Sequence, residues 1–222
     1  MATSNFVVNP VPSLAPTELV EAFRDVVTPH ISDNLQRLSG VTGLKRFNRS
    51  RKLLGTAVTV KARPGDNLLI YKALMELRPG HVLVVDGAGD CTNALVGELI
   101  MQYAAARGCA GFVLDAAIRD TAAFYEADFP CYARGVSHRG PYKMGPGALN
   151  VPVSVGGQLI SPGDIVVGDE DGVVAFPVAQ AAALLEAVSV TARNEQKIMA
   201  EIATGTREQE WLRKVLEPHG LY

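Results

Sequence analysis

The sequence predicts a layered α/β domain, on three observations. Val82-Leu83-Val84-Val85 and Gly111-Phe112-Val113-Leu114-Asp115 are continuous apolar runs separated by a helical stretch, the strand, helix, strand crossover of a sheet buried on both faces. From Gly140 to Pro177 glycine and proline recur every few residues between short β-rich segments, so tight turns should link short strands into a small barrel-like or sandwiched sheet. A long helical pattern then begins near Val178. Apolar strands and amphipathic helices in this order bury their faces by stacking in layers.

The elements follow in order. Thr17 is placed to cap a first helix, since Leu19, Val20 and Phe23 recur at helical spacing behind Pro16. A second short helix is expected near Ile31 to Leu38, ended by Gly40. The β-branched run within Gly55 to Ala62 reads as a strand, and Pro64-Gly65-Asp66 as the turn into a helix holding Leu68, Leu69, Tyr71, Ala73 and Leu74. Pro79-Gly80 closes that unit. After Val82 to Val85 come a Gly87-Ala88-Gly89 turn, a helix from about Asn93 to Ala106, and the strand Gly111 to Asp115. A short helix follows Arg119-Asp120 and leads through Pro130 to a strand at Cys131 to Ala133. The turn-rich segment should hold strands at Val151 to Val155, Gln158 to Ile160, Ile165 to Val167 and Val173 to Phe176. The long helix carries Ala182, Leu184, Leu185, Val188, Val190 and Ile198, more length than one small domain needs. A last helix, Arg207 to Leu216, places Trp211, Leu212 and Val215 on one face, to pack on the chain's own core or on a neighbour.

With 222 residues, 48% of them hydrophobic and 20% charged, the chain can bury a full core, and one domain over residues 1–222 with a helical tail from about 178 is expected. A net charge of -2 gives no basic excess for a run of phosphates, so no nucleic-acid partner is expected. Cys91, Cys109 and Cys131 lack C-x-x-C spacing, which argues against a zinc site and a disulfide framework. Met1 to Pro16 do not read as a signal peptide, and no apolar run reaches the roughly 18 residues of a membrane span. A cytoplasmic protein with no membrane contact is the expectation.

Arg119-Asp120 lies where a buried strand ends and a helix starts, the edge at which open α/β sheets place ligands. Arginine offers a planar fork that matches a carboxylate, and the adjacent aspartate can place a hard oxygen on a divalent cation. The alternative is structural: Asp120 caps the following helix, and Arg119 pairs with Asp115 or Glu126. Gly97-Glu98-Leu99-Ile100 offers free N–H groups to an anion if a helix begins there, and is a packing contact if the helix is already under way. Asp86-Gly87-Ala88-Gly89-Asp90 is a poor dinucleotide fingerprint, with Thr92 where the third glycine is needed. No pair among His30, His81, His138 and His219 has metal-ligand spacing, and His138 sits with Arg134, Arg139 and Lys143 in what reads as a solvated basic loop. No serine lies in a G-x-S-x-G elbow.

Together, Gly97-Glu98-Leu99, the stretch Gly111 to Asp120, Lys143-Met144-Gly145-Pro146-Gly147 with Asn150-Val151-Pro152-Val153, and Pro162-Gly163-Asp164 followed by Asp169-Glu170-Asp171-Gly172-Val173-Val174 resemble the RraA-like superfamily over about Asp33 to Gly205. That superfamily includes 4-hydroxy-4-methyl-2-oxoglutarate/4-carboxy-4-hydroxy-2-oxoadipate aldolases and the regulator of ribonuclease activity A. The resemblance implies a swivelling-type α/β/β domain with a central sheet, assembled as trimers or hexamers with sites between subunits. It further implies that the backbone at Gly97, Glu98, Leu99 and Ile100 and the side chain of Arg119 hold the pyruvate portion of a 2-oxo acid. Arg119, Asp120 and Glu98 would be catalytic. Asp120 would ligate Mg²⁺ or Mn²⁺, and Glu195 from a neighbouring subunit would assist through water. The metal would act as a Lewis acid on the 2-oxo group, stabilising the enolate left by aldol cleavage or decarboxylation. One departure stands out: the aldolase pattern Arg-Asp-x-x-Glu/Asp has Ala123 at its last position here. That acid would support the metal's water shell or merely complete a capping box, and Glu126 is the nearest substitute. The competing expectation is a non-catalytic regulator that binds a ribonuclease or RNA helicase complex.

Overall fold

The computed structural model describes residues 6–206 and 209–222. Along the chain these form Phe6–Val8 (β1), Thr17–Glu21 (α1), Thr28–Asn34 (α2), Lys45–Arg46 (β2), Leu53–Ala62 (β3), Leu68–Glu76 (α3) and His81–Asp86 (β4). There follow Ala94–Val96 (β5), Glu98–Ala106 (α4), Gly111–Ile118 (β6), Thr121–Glu126 (α5), Cys131–Val136 (β7) and Gly147–Leu149 (β8). The turn-rich region gives Val153–Val155 (β9), Gln158–Ile160 (β10), Ile165–Gly168 (β11) and Val173–Phe176 (β12), before Ala181–Ala203 (α6) and Glu210–Leu216 (α7).

The centre of the sheet is parallel, β3-β4-β6-β7, with Val58 opposite Leu83 and Val84 opposite Val113. Alternation sorts the strands' side chains onto two faces. Val58, Val60, Leu83, Val85, Phe112 and Leu114 face the helices α3, α4 and α5, burying Leu74, Met101 and Phe124. Ala57, Val82, Val84 and Val113 face the antiparallel β9–β10 hairpin through Val153, Val155 and Ile160. Helices, central sheet and hairpin are therefore the three layers of the α/β/β architecture. Beyond the edge of β3, β11 and β12 carry a third cluster in which Ile165, Val167 and Phe176 meet Phe23, Ile31, Leu184 and Val188. The buried apolar contacts of the long helix α6 thus lie in its first half.

Several boundaries differ from the sequence reading. Thr17 is the first helical residue of α1, Pro16 holds the cap position, and no side chain caps the helix. The second helix starts earlier, at Thr28, and stops before Gln36 and Arg37, which adopt left-handed φ of 62° and 58°; Gly40 does not end it. The helix expected from Asn93 starts only at Glu98, because Ala94-Leu95-Val96 forms β5 against Ala117 and Ile118 of β6. Three apolar residues satisfy a helical and an extended pattern equally, and the free edge of β6 decides between them. Residue 207, where the last helix was expected to begin, lies outside the described residues, and α7 leaves Trp211, Leu212 and Val215 exposed. Among the described residues, no helix is long and apolar enough to cross a membrane.

His81 opens β4 fully buried, its Nδ1 accepting the Arg78 N–H at 3.0 Å. The ring proton must then sit on Nε2, which has no partner among the described residues. Burial pushes this imidazole from its ordinary value of 6.5 down to about 4. Below pH 6.5 the unfolded chain takes up a proton that the folded chain refuses until about 4, so stability falls as pH drops through that window. In His81→Leu the decline of the melting temperature across that window should be shallower than in wild type, as read by thermal unfolding at stepped pH.

Candidate active site

Strand β6 ends at Ile118, and the Arg119 N–H donates to the carbonyl of Val96 at 3.0 Å, tying the exit of β6 to the end of β5. Asp120 then adopts φ 55° and ψ 42°, a left-handed conformation that costs most side chains about 1–2 kcal/mol and that aspartate and asparagine visit more readily. Asp120 occupies the cap position of α5 yet makes no side-chain cap to it. Its Oδ2 instead accepts the N–H of Glu98 at 3.0 Å, at the first residue of α4. The Arg119 Nε lies 3.6 Å from the same oxygen, and the two side chains are 44% and 45% exposed. Cation, carboxylate and helix N-terminus therefore meet at one point. This differs from the structural alternative: Arg119 pairs with neither Asp115 nor Glu126, and Asp115 is engaged by Arg134 and by the Gly156 N–H at 2.9 Å.

Gly97 makes that meeting possible. A Cβ here would stand 2.5 Å from the Asp120 Oδ2 and 2.9 Å from the Arg119 Cγ. Gly97→Ala should push both side chains aside and cut turnover about 100-fold, the cost of a misplacement near 1 Å. The test pairs steady-state kinetics with circular dichroism, which should show the fold retained.

A cleft of about 70 Å³ opens in front of these groups, lined also by Leu99, Ile100, Asn67, Tyr71 and Lys143. Since the helix begins at Glu98, the N–H groups of Leu99 and Ile100 belong to its unpaired first turn and suit an anion. Lys143 arrives through a backbone clamp. The Asp66 Oδ2 accepts the N–H groups of Met144 at 2.6 Å and Gly145 at 2.9 Å, while the Asn67 N–H donates to the Tyr142 carbonyl at 3.0 Å. The Lys143 Nζ then sits 5.8 Å from the centre of the Tyr71 ring. Buried Asn67 donates its Nδ2 to the Leu95 carbonyl at 2.8 Å, which fixes its orientation and leaves Oδ1 an unused acceptor. Asn67, Tyr71 and Lys143 were not anticipated as cleft residues. The available signal was the Pro64-Gly65-Asp66 turn that precedes Asn67.

Two candidate residues point elsewhere within this chain. The Glu98 carboxylate is exposed and accepts from Gln102 Nε2 at 2.7 Å, so only its backbone joins the cluster. Glu195, on α6, lies 2.7 Å from His30 Nε2, one turn beyond the bond between Asn34 and Thr191, and so joins α6 to α2. No group of three or more His, Cys, Asp or Glu side chains suited to a metal occurs among the described residues. Ala123 packs against the helix-side core and does not line the cleft, and neither does Glu126.

Known proteins share this architecture and much of the sequence. Residues 28–175 match the family model described as RraA-like, Aldolase/RraA. A Halalkalibacterium halodurans protein named "Putative 4-hydroxy-4-methyl-2-oxoglutarate aldolase" is 43% identical over 169 residues, which is 76% of this chain and 80% of that protein. The RNA-processing inhibitor RraA from Thermus thermophilis superposes with a TM-score of 0.63 at 32% identity, over 69% of this chain and 93% of that one. RraAS2 of Streptomyces coelicolor, described as an unusual member of the RNase ES inhibitor RraA protein family, superposes with a TM-score of 0.74 at 28% identity, over 85% and 98%. With the matching model spanning most of the chain and both sheet faces covered as described, this protein belongs to the RraA-like family.

Proposed function

We propose that this chain is a divalent-metal-dependent lyase that breaks a carbon–carbon bond in a 2-oxo acid, such as a 4-hydroxy-2-oxo acid or oxaloacetate, and releases pyruvate. The observation that carries the reading is the convergence of Arg119, Asp120 and the first turn of α4 on one cleft. The named activity of the 43%-identical relative points the same way.

The residues divide the work by charge. Arg119 and the N–H groups of Leu99 and Ile100 hold the carboxylate and 2-oxo end of the substrate. Lys143 adds a second cation to the cleft lining. Asp120 spends Oδ2 on the Glu98 N–H, leaving Oδ1 as a hard oxygen that fits Mg²⁺ or Mn²⁺ with a mostly aqueous shell. When bound, the ion supplies a Lewis acid beside the 2-oxo group. Glu195 would come to that shell from a second copy in a homotrimer or homohexamer, since within one chain it is paired with His30. The exposed carboxylate of Glu98 stands one residue from the cleft wall and is the candidate to exchange a proton through water.

The test is pyruvate release from a panel of 2-oxo acids with Mg²⁺ or Mn²⁺. Activity that EDTA abolishes and either ion restores is expected; no turnover of any member with either metal would overturn the reading. The likeness to the Thermus RNA-processing inhibitor favours one alternative, a regulator that binds a ribonuclease or RNA helicase complex. A partner of that kind recovered by an inactive protein would decide for it.

A further inference from the structure

Strand β1 adds nothing to the three buried apolar clusters, none of which includes Phe6, Val7 or Val8. What it does is pair. It runs parallel to β8, with Phe6 opposite Gly147 and Val8 opposite Leu149, while β3 pairs with β8 as well and sets Ala62 opposite Gly147. Its end is fastened across 141 positions of sequence, where Asn9 Nδ2 donates to the Asn150 carbonyl at 3.0 Å and Asn150 Nδ2 to the Asn9 carbonyl at 3.1 Å. β1 precedes residues 28–175, the segment shared with the family, yet it is tied to the strand that directly follows the Lys143 loop.

Phe6 touches that loop itself. Gly145, at φ 65°, has the Phe6 ring standing where a β-carbon would be. The same residue donates its N–H to the Asp66 Oδ2 at 2.9 Å, and its carbonyl accepts from Arg63 Nη1 at 3.3 Å. Asp66 and Arg63 therefore hold the polar atoms of Gly145, and the Phe6 ring fills the space left by its missing side chain. Lysine is a point charge on a flexible four-carbon stem, so where its ammonium sits depends on how firmly the start of that stem is held. At Lys143 that start is the backbone fixed at Met144 and Gly145.

We propose that Phe6, carried by β1, is a positioning residue for Lys143. By packing on Gly145 it orders the 143–147 loop before substrate arrives, and so raises the affinity of the cleft for an anionic 2-oxo acid. A loop already ordered takes no part of the binding free energy to order it. The inference rests on the reading of the Arg119 cleft, with Lys143 in its lining, as the 2-oxo acid site.

Calorimetric titration of 2-oxoglutarate, which lacks a 4-hydroxyl and so cannot undergo the aldol cleavage, into the Mg²⁺-loaded full-length protein tests it. Lys143→Ala should weaken binding about 10- to 100-fold, the range for a hydrogen bond to a charged group. Phe6→Ala should weaken it about 2- to 10-fold, the cost of ordering one long side chain on binding, and Phe6→Leu should recover most of that. In the Lys143→Ala background Phe6→Ala should have no further effect, which separates positioning from a general loss of fold. Amide hydrogen exchange should show the N–H groups of Met144 and Gly145 less protected in Phe6→Ala than in wild type. Unchanged 2-oxoglutarate affinity in Phe6→Ala, or unchanged exchange at these two amides, overturns this inference alone. An equal loss in both backgrounds does the same, by placing Phe6 in the fold and not behind Lys143. Wild-type affinity in Lys143→Ala removes Lys143 from the site, and the inference with it, while the assignment of Arg119 stands. A wild-type protein that fails to bind 2-oxoglutarate overturns the reading of the cleft itself.

Discussion

Arg119→Ala is expected to lower kcat/KM for pyruvate release by about 100- to 1,000-fold, the usual cost of removing one donor aimed at developing charge. The fold should be untouched. Arg119 is 44% exposed, and its ion-pair contact to Asp120 is 3.6 Å long, a geometry worth little to stability in water. A shift of the melting temperature beyond a few degrees would therefore count against a purely functional role. Arg119→Lys separates charge from shape, because lysine keeps the cation and loses the two parallel hydrogen bonds of the fork. The lysine variant should recover only a small part of the loss. If it recovers nearly all, the residue acts as a point charge and its Nε contact with Asp120 is incidental. Wild-type turnover in Arg119→Ala would remove Arg119 from the site altogether.

The central layers were legible in the sequence because they depend on local pattern. Val82 to Val85 and Phe112 to Leu114 are apolar on both alternating faces, which only a doubly covered strand requires. Gln158–Ile160 and Val173–Phe176 were bounded by turn residues and appear at their expected positions. The short strands were not legible. Lys45–Arg46 has no apolar character and is extended because it pairs with Tyr132 and Ala133 of β7. Phe6–Val8 exists as a strand through its parallel pairing with β8, itself unanticipated and three residues long. For Lys45–Arg46 the partner's free edge, and not the segment's own propensity, makes the strand.

The candidate site divides along the same line. Arg119 and Asp120 could be picked out by their place after a buried strand, which is a local property. What Asp120 does with its carboxylate could not, since a residue ahead of a helix ordinarily caps that helix. The outcome depends on β5 pairing with the end of β6, which brings the start of α4 within 3.0 Å of the Asp120 Oδ2. Lys143 and Asn67 are still further from local inference, because Asp66 joins their segments across 78 positions of sequence. Lys143 read as one cation of a solvated loop, and the clamp at Asp66 carries it to the cleft wall.

The same geometry makes Asp120 the sharper probe of metal binding. Asparagine tolerates the left-handed region and retains a side-chain oxygen for the Glu98 N–H, so Asp120→Asn should preserve both backbone and hydrogen bond. Only the negative charge is removed. Mn²⁺ affinity, measured by electron paramagnetic resonance of the free ion, should fall at least about 100-fold, since loss of a supporting partner alone costs about 10- to 100-fold. Turnover should fall in step with it. Asp120→Ala should do the same to metal binding and also lower stability by about 2 kcal/mol, because alanine carries the left-handed strain and leaves the Glu98 N–H without its acceptor. Two variants with equal metal loss and unequal melting temperatures would thus separate the two oxygens of one carboxylate, one serving the fold and the other the ion. Undiminished Mn²⁺ affinity in Asp120→Asn would instead mean that the charge is not a ligand, and the proposed metal centre would lose its one ligand from this cleft.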